Sequence, residues 1–216
     1  MRTLFLTIPA HNEEKRIGKT LEAYSRHFEE ARGKYVSDYE ILVVIDNTQD
    51  KTEDIVKKFS SKNKRVRYLS FKKGGKGFAV IEGFKEGLKN NSDLIGFVDA
   101  DMATPPEEYM KLINSINNYD GAIADRYLRG SKIYPPVTFR RLIVGRIFNF
   151  FVRALFIMPN KDTQCGAKIF TNNAIKKIIG KLSMSQWAFD VDIIHNMRKH
   201  GFRIKSVPTV WIDKEY

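Results

Sequence analysis

Two carboxylates, Asp99 and Asp101, follow the apolar segment Leu94–Val98 with a single residue between them. At this spacing each carboxylate raises the pKa of the other unless a cation lies beside them. Oxygen ligands of this kind suit a hard divalent ion, and Mg²⁺ in particular combines one or two carboxylates with substrate phosphate oxygens. The pair therefore predicts a metal site. The simpler alternative is a loop that caps a helix starting near Pro105, although Thr104 could cap that helix alone.

Polar residues also follow the three apolar segments that precede this one, at residues 9–14, 46–50 and 72–77. In parallel α/β sheets, ligands bind at the carboxyl ends of the strands, so these loops are candidate binding segments. Residues 72–77 form a basic, glycine-containing loop in which backbone N–H groups and lysines can meet a phosphate. The sequence has neither a P-loop nor a GxGxxG segment after the first strand, which disfavours an ordinary dinucleotide oxidoreductase.

Short apolar segments alternate with amphipathic ones along the chain, which predicts a mostly parallel sheet covered by helices on both faces. The predicted strands lie near residues 3–8, 40–45, 66–71, 93–98, 120–125, 166–170 and 202–210. The predicted helices lie near residues 12–32, 50–63, 77–90, 105–118, 139–158, 172–181 and 188–200.

The composition is that of a globular protein. The chain has 216 residues, of which 43% are hydrophobic and 29% are charged, so a single domain over residues 1–216 can bury a full core. A lone cysteine, Cys165, excludes an intrachain disulfide, and no signal segment precedes the first strand. These features predict a reducing, cytoplasmic setting.

Basic residues are concentrated in the second part of the chain. Residues 1–125 contain 20 Lys and Arg against 20 Asp and Glu, whereas residues 126–216 contain 17 against 5. The whole formal charge of +12 therefore comes from the second part. This asymmetry predicts an anionic partner: a phosphorylated substrate, an anionic membrane surface or a nucleic acid. The simpler alternative is a solvated face that lysines keep soluble.

Several motifs resemble those of family 2 glycosyltransferases of the GT-A fold, and they occur in order along the chain. They are Pro-Ala-His-Asn-Glu at 9–13, Val-Ile-Asp-Asn-Thr-Gln-Asp at 44–50 and Val-Asp-Ala-Asp at 98–101. Segments 73–77, 101–105, 162–170 and 187–192 resemble the dolichyl- or polyprenyl-phosphate sugar synthases, and their glucosyltransferase branch more than the mannose synthases. The resemblance implies an α/β fold with a Rossmann-like, mostly parallel central sheet and helices on both faces.

The resemblance implies a nucleotide-sugar and metal half, residues 1–125, and an acceptor half, residues 126–216. Asp46 would contact the base or ribose, and Lys76 the base or phosphates. Asp101 would bind the metal. Asp99 would contact the ribose or the sugar and would also contribute to the metal site. The residues implied for nucleotide-sugar binding are Pro9, Ala10, Glu13, Asp46, Lys76, Asp99, Ala100 and Asp101.

The donor site departs from the family pattern at two positions. The family usually has two acids where this chain has Ile45 and Asp46. The contact to the base therefore does not decide between a uridine and a guanosine donor. Mannose synthases have a Gln ligand where this chain has Ala103, so Mg²⁺ or Mn²⁺ would need water and phosphate ligands and bind weakly without the nucleotide sugar. Structural alternatives also exist: Pro9 could end a strand, Glu13 could face a helix dipole, and Asp46 could form a turn.

The acceptor implied by the resemblance is a polyprenyl or dolichyl monophosphate. Its phosphate is substantially dianionic at neutral pH and needs little help from a general base. Arg126 and Arg141 match the positions that hold the acceptor phosphate, with Arg140 and Lys168 as further candidates. A surface salt bridge is the alternative for each arginine, but acidic partners are scarce after residue 125, which favours a ligand.

Asp190 matches the catalytic carboxylate of many family 2 enzymes, and the implied catalytic residues are Asp101, Asp190, Arg126 and Arg141. A carboxylate beside a dianionic acceptor is repulsive, so we expect Asp190 to orient groups or tune charge, with helix capping as the alternative. Gln164 is expected to line the acceptor or diphosphate side. Cys165 is expected to be a packed small residue, and the four histidines to be surface or loop residues.

The segment 142–158 is apolar except for Arg146, Asn149 and Arg153, which share one helical face. Two arginines make it a poor spanning helix, so we predict no transmembrane helix in this chain. It could instead lie in the membrane interface with its basic residues at the headgroups. A core helix that covers the sheet is an equally good interpretation.

Together these features predict an inverting, metal-dependent hexosyltransferase, peripheral at the cytoplasmic membrane face. It would use Mg²⁺ or Mn²⁺ and move glucose from UDP-glucose to a dolichyl or polyprenyl monophosphate. The alternatives are a mannose synthase that uses GDP-mannose, or a family 2 enzyme with a hydroxyl acceptor, for which Asp190 would be a general base. A basic nucleic-acid-binding protein is the alternative from another class, but no recognition motif supports it, and we predict no nucleic-acid partner.

Overall fold

The computed structural model describes residues 1–135, 156, 158, 160–183 and 188–214. Its strands are β1 (Arg2–Ala10), β2 (Val36–Asp46), β3 (Val66–Phe71), β4 (Leu94–Val98), β5 (Gly121–Asp125), β6 (Lys132–Tyr134), β7 (Ala167–Thr171), β8 (Ile204–Pro208) and β9 (Val210–Ile212). Its helices are α1 (Ile17–Ala31), α2 (Thr52–Ser60), α3 (Lys76–Lys89), α4 (Pro106–Ser115), α5 (Asn172–Ile178) and α6 (Phe189–Lys199), with a 3₁₀ turn at Ile179–Lys181.

Seven strands form one sheet in the order β3-β2-β1-β4-β7-β5-β8, and β6 pairs with β9 beside it. Strand β7 runs antiparallel to β4 and β5, whereas the other pairs in the sheet are parallel. The predicted mostly parallel sheet is therefore confirmed. Because β7 runs the other way, the segment that enters it meets the carboxyl ends of β1, β2 and β4 at one edge.

Alternate residues of each central strand face opposite sides of the sheet, and each side packs against helices. On one side, Leu4 and Leu6 of β1 pack in a buried cluster with Tyr24 of α1 and Leu112 of α4. The opposite cluster holds Phe5 of β1 together with residues of the other layer, including Phe84, Ile175 and Ile194 from α3, α5 and α6. The predicted helices on both faces are thus confirmed.

The predicted elements agree with the structure at most positions, and three differences matter for the site. Helix α1 begins at Ile17 rather than near residue 12, because Asn12 has a left-handed φ of 53°. Strands β6 and β9 were not predicted. Helix α4 has Pro105 at its N-cap and no side-chain cap, so neither the two aspartates nor Thr104 caps it, and the capping interpretation is wrong. The helix predicted near 139–158 lies largely outside the described residues.

Among the described residues, no helix combines the length and the apolar character that crossing a bilayer requires.

Candidate active site

A cleft of about 820 Å³ opens at the carboxyl edge of the central strands. It receives residues from the loops after β1, β2 and β4, from the loop before α3, and from the later part of the chain. All eight residues predicted for nucleotide-sugar binding line it. The lining residues are Pro9, Ala10, His11, Glu13, Asp46, Asn47, Lys73, Gly74, Gly75, Lys76, Ala79, Asp99, Ala100, Asp101, Gln164 and Asp190.

Asp46, the last residue of β2, is the most buried acid on the β2 side of the cleft, at 7% exposure. Its Oδ2 accepts a hydrogen bond from the backbone N–H of Gly75, whose φ of 96° suits glycine. Its Oδ1 is buried and has no hydrogen-bond partner among the described residues. An unpaired buried carboxylate oxygen is costly, so this atom is suited to accept a hydrogen bond from a ligand N–H or O–H group.

The loops after β1 and β2 hold each other in place. His11 Nδ1 lies 2.7 Å from the carbonyl oxygen of Asp46. The backbone N–H of Asn12 donates to Thr48 Oγ1 at 2.9 Å, and Asn12 Oδ1 accepts from the N–H of Gln49 at 2.9 Å. His11 is a loop residue, as predicted, but the prediction missed that it lines the cleft. Its position directly after β1 was the signal that could have identified it.

Asp99 and Asp101 both line the cleft, and their negative charges act on each other and on Glu13. Burial raises the pKa of Asp101, and the negative charge of Asp99 raises it further. A hydrogen bond from the N–H of Ala103 lowers this pKa but does not cancel the rise. Burial likewise raises the pKa of Glu13, although Arg16 lies 2.6 Å away and opposes the shift, while both aspartates add to it. A cation placed among these carboxylates would relieve their repulsion.

The two aspartates fit Mg²⁺ or Mn²⁺, because carboxylate oxygens are hard ligands and the neighbouring carboxylate of Glu13 adds to the attraction for a cation. Within the described ranges, no group of three His, Cys, Asp or Glu side chains is arranged to hold a metal. A metal at this pair would therefore need further ligands from water or substrate phosphate, as the presence of Ala103 led us to expect.

Lys76 begins α3 and connects the two sides of the cleft. Its Nζ lies 2.7 Å from Asp99 Oδ1 and 3.6 Å from Asp190 Oδ2. Burial opposes the charged form, but the carboxylates of Asp99 and Asp190 outweigh it and raise the pKa of the lysine. Lys76 is therefore charged at any physiological pH.

Asp190 is buried, and its Oδ1 accepts a hydrogen bond from Lys168 Nζ. Lys168 is fully buried and also donates to the carbonyl oxygen of Cys165 at 2.6 Å. Burial raises the pKa of Asp190, yet Lys168 and Lys76 outweigh it, and the net shift is downward. The prediction that Lys168 contacts the acceptor phosphate does not fit this structure, because Asp190 and Cys165 enclose its ammonium group.

Arg126 forms a salt bridge with a carboxylate. The sequence had favoured a ligand over a salt bridge here, because acids are scarce after residue 125. The Nε and Nη2 atoms of Arg126 donate to the two oxygens of Asp162 at 2.6 and 3.0 Å, and Asp162 is fully buried. The guanidinium carbon also lies 5.1 Å from the ring centre of Trp211. The scarcity of acids is therefore no argument for a ligand at Arg126, which is not among the residues that line this cleft.

Gln164 connects this ion pair to the cleft. Its backbone N–H donates to Asp162 Oδ1 at 3.1 Å, while its side chain lines the cleft. Its Nε2 is buried and has no hydrogen-bond partner in the described part of the chain, so it can donate to a ligand oxygen. Arg140, Arg141, Trp187 and the basic residues 146 and 153 lie outside the described residues.

Comparison with known proteins identifies the family to which this chain belongs. The sequence pattern of the family described as "Glycosyl transferase family 2" matches residues 6–179. A dolichyl-phosphate beta-glucosyltransferase of Trichomonas vaginalis is 30% identical over 96% of this chain and 65% of its own length. The enzyme of the same name from Dictyostelium discoideum is 30% identical over 97% and 66%, respectively. The chain thus spans about two thirds of the length of these relatives.

Solved structures agree on the fold. Glucosyl-3-phosphoglycerate synthase from Mycobacterium tuberculosis, in complex with UDP, superposes with a TM-score of 0.70 at 15% identity, over 100% of this chain and 73% of its own. The same synthase with Mn²⁺, UDP and glucosyl-3-phosphoglycerate gives a TM-score of 0.71 at 16% identity, over 97% and 71%. These matches confirm the predicted fold class.

Proposed function

This chain belongs to glycosyl transferase family 2, and from that premise we propose that it transfers glucose from UDP-glucose to a dolichyl or polyprenyl monophosphate. The observation that carries the proposal is the cleft, in which the eight residues implied for the donor lie together around Asp99 and Asp101. The names of the relatives support a lipid-phosphate acceptor, and UDP in the similar structures supports a uridine donor.

The donor would lie along the carboxyl edge of the sheet. The unpaired Oδ1 of Asp46 would accept a hydrogen bond from the base or ribose, and Lys76 would approach the diphosphate. Asp101 and Asp99 would hold Mg²⁺ or Mn²⁺, which when bound neutralises charge on the departing nucleoside diphosphate. Gln164 Nε2 would donate to an oxygen of the diphosphate or sugar.

The state of Asp190 favours a phosphate acceptor over a hydroxyl. A hydroxyl acceptor needs a general base, and an efficient base has a pKa near the working pH. Asp190 has a lowered pKa and sits between two ammonium groups, so it is a poor proton acceptor. A lipid phosphate is already anionic and needs no base. Asp190 would then serve to orient Lys76.

The reaction would be a single displacement. A phosphate oxygen of the acceptor attacks the anomeric carbon and forms the new C–O bond, while the bond from that carbon to the nucleoside diphosphate breaks. Attack from the face opposite the leaving group inverts the anomeric configuration. The electron pair of the broken bond leaves on the diphosphate, whose charge Lys76 would stabilise together with a metal ion held by Asp101 and Asp99.

The acceptor side would be formed by the second half of the chain. We propose that Arg126, Arg140 and Arg141 hold the lipid phosphate. Asp162 accepts from two of the five guanidinium N–H donors of Arg126 and fixes the guanidinium plane, and the other donors would bind the phosphate. The proposed acceptor is a membrane lipid, so the chain would act at a membrane surface; we propose that it does so as a peripheral protein at the cytoplasmic face. The basic excess of residues 126–216 would attract it to anionic headgroups.

A variant pair tests this division of the site. Asp101→Ala should abolish lipid-linked product, because the diphosphate loses its metal, whereas Asp54→Ala, an exposed acid on α2, should retain wild-type turnover. Arg126→Ala should raise the KM for the lipid phosphate and leave the affinity for UDP unchanged. Full turnover in Asp101→Ala, or equal loss of UDP binding in Asp101→Ala and Arg126→Ala, would contradict the proposal.

A further inference from the structure

The ammonium group of Lys76 contacts Asp99, one of the two carboxylates predicted to bind the metal. Gly75 precedes α3 with a left-handed φ of 96°, and Lys76 is the first residue of the helix. From there its Nζ reaches Asp99 Oδ1 at 2.7 Å, although 32% of the side chain stays exposed to the cleft. One oxygen of the predicted metal pair therefore already has a cationic partner.

The surroundings keep this ammonium group in place. Asp190 Oδ2 lies 3.6 Å from Lys76 Nζ, and the ring centre of Phe97 lies 5.6 Å away. Asp190 is in turn fixed by the buried Lys168. The four charged groups form a row in which each carboxylate has a lysine neighbour, so Lys76 has a defined position without any ligand.

A divalent cation and this ammonium group cannot both bind the same carboxylate without repulsion. We propose that Lys76 is a resident counter-cation of Asp99, which the divalent metal must displace and which the diphosphate of the donor draws away. The metal and the nucleotide then bind together, and neither binds well alone. This inference rests on the metal and donor part of the proposed function.

The inference predicts that removing the charge of Lys76 increases the affinity for a metal ion. A neutral side chain at position 76 should strengthen Mn²⁺ binding in the absence of nucleotide, because a competing charge is removed. We expect about a tenfold gain, since one charge at this range shifts an ionisation constant at least tenfold. The same variant should bind Mn²⁺ and UDP together less favourably, because the diphosphate loses a cation.

Mn²⁺ binding measured by the electron paramagnetic resonance signal of the free ion, with and without UDP, tests the inference. The neutral variants are Lys76→Met and Lys76→Gln, and Lys76→Arg keeps the charge. Lys85→Met is the matched control, because Lys85 is an exposed lysine on the same helix that pairs with Glu82. We expect tighter Mn²⁺ binding without UDP, and a smaller gain on adding UDP, in the two neutral variants only.

Unchanged or weaker Mn²⁺ binding by both neutral variants, with wild-type circular dichroism, would overturn the inference. If the wild-type chain still binds Mn²⁺ through UDP in that case, the donor assignment stands and only the role of Lys76 is wrong. If no variant binds Mn²⁺ even with UDP, the metal part of the proposed function fails as well.

Discussion

Gly166 makes room for the carboxylate of Asp99. The backbone N–H of Asp99 donates to the Gly166 carbonyl oxygen at 3.0 Å, which brings the two backbones together at the end of β4. A Cβ atom on residue 166 would lie 1.8 Å from Asp99 Oδ2. Only glycine lets the Asp99 side chain take this position beside Asp101.

We therefore predict that Gly166→Ala displaces Asp99 and lowers kcat/KM about 100-fold, the typical cost of moving a catalytic group by about 1 Å. Gly180→Ala is the matched control, because a Cβ atom there has no neighbour within 4 Å. Steady-state kinetics, with circular dichroism to check folding, measures the difference. Similar kinetics for the two variants would contradict the role of Gly166.

The buried pair of Lys168 and Asp190 contributes stability that depends on pH. We predict that Lys168→Met lowers the free energy of unfolding by about 3 kcal/mol at pH 7, because a buried carboxylate loses its main partner. The folded pKa of Asp190 is lowered, so this stabilisation exists above the unfolded pKa of about 3.9 and disappears as the pH falls through the folded value.

Urea unfolding at several pH values measures this loss. The difference between wild type and Lys168→Met should be largest near neutrality and shrink below pH of about 4. Lys177→Met, at an exposed position of α5, serves as the control and should unfold like the wild type. A pH-independent difference would argue against the ion pair as its source.

Sequence motifs predicted the lining acids well but missed their partners. Asp46 ends β2, and Asp99 and Asp101 follow the end of β4, so the topology brings them to one edge wherever the sheet is parallel. Asp162 is 36 residues from Arg126, and Asp190 is 22 residues from Lys168. Such pairs depend on which strands become neighbours, and local patterns do not encode that.

Helix α3 lies close to β1 because it has a glycine at the contact. A Cβ atom on Gly83 would lie 2.2 Å from Cγ2 and Oγ1 of Thr7, which is fully buried in β1. The short distance keeps the start of α3, and with it Lys76, near the end of the central strands. The geometry of the cleft thus depends on this helix contact.

Gly83→Ala should lower the free energy of unfolding by about 1–3 kcal/mol, because overpacking outweighs the better helix propensity of alanine. Gly18→Ala in α1 should instead be neutral or stabilising by up to about 1 kcal/mol, since its Cβ would make only an ordinary contact with Ile55. Chemical denaturation compares the two variants. Equal effects would show that the α3 contact is not tight.

The longer elements could be predicted because their apolar periodicity extends over several turns or a whole strand. Strands β6 and β9 have three residues each, too few for a pattern, and they exist through pairing with each other. The start of α1 was misjudged because the polar residues before it, which resemble a first turn, form a loop that hydrogen-bonds to the loop after β2.

The molecule as a whole carries its positive charge on the half that we assign to the acceptor. Residues 126–216 hold 17 basic and 5 acidic residues, whereas the donor half is balanced. An anionic lipid surface attracts such a half electrostatically, and screening weakens that attraction. The charge distribution would then orient the acceptor half toward the membrane that contains the lipid phosphate.

We predict that the protein floats with vesicles that contain an anionic phospholipid and does so much less with vesicles of neutral phospholipid alone. Raising the salt from about 0.1 M to about 0.5 M should release most of it, because the Debye length falls well below 10 Å. Co-flotation in a density gradient measures both effects. Equal binding to the two kinds of vesicle at low salt would contradict an electrostatic membrane contact.

The central claim is the transfer of glucose from UDP-glucose to a lipid monophosphate. Its most direct measurement is the formation of radiolabelled glycolipid by the purified protein from UDP-glucose and a polyprenyl phosphate, with Mn²⁺ or with EDTA. The account predicts a product that requires both the lipid phosphate and the metal, and less product from GDP-mannose. Transfer of glucose to sugar hydroxyls in place of the lipid phosphate, or equal product with EDTA, would contradict it.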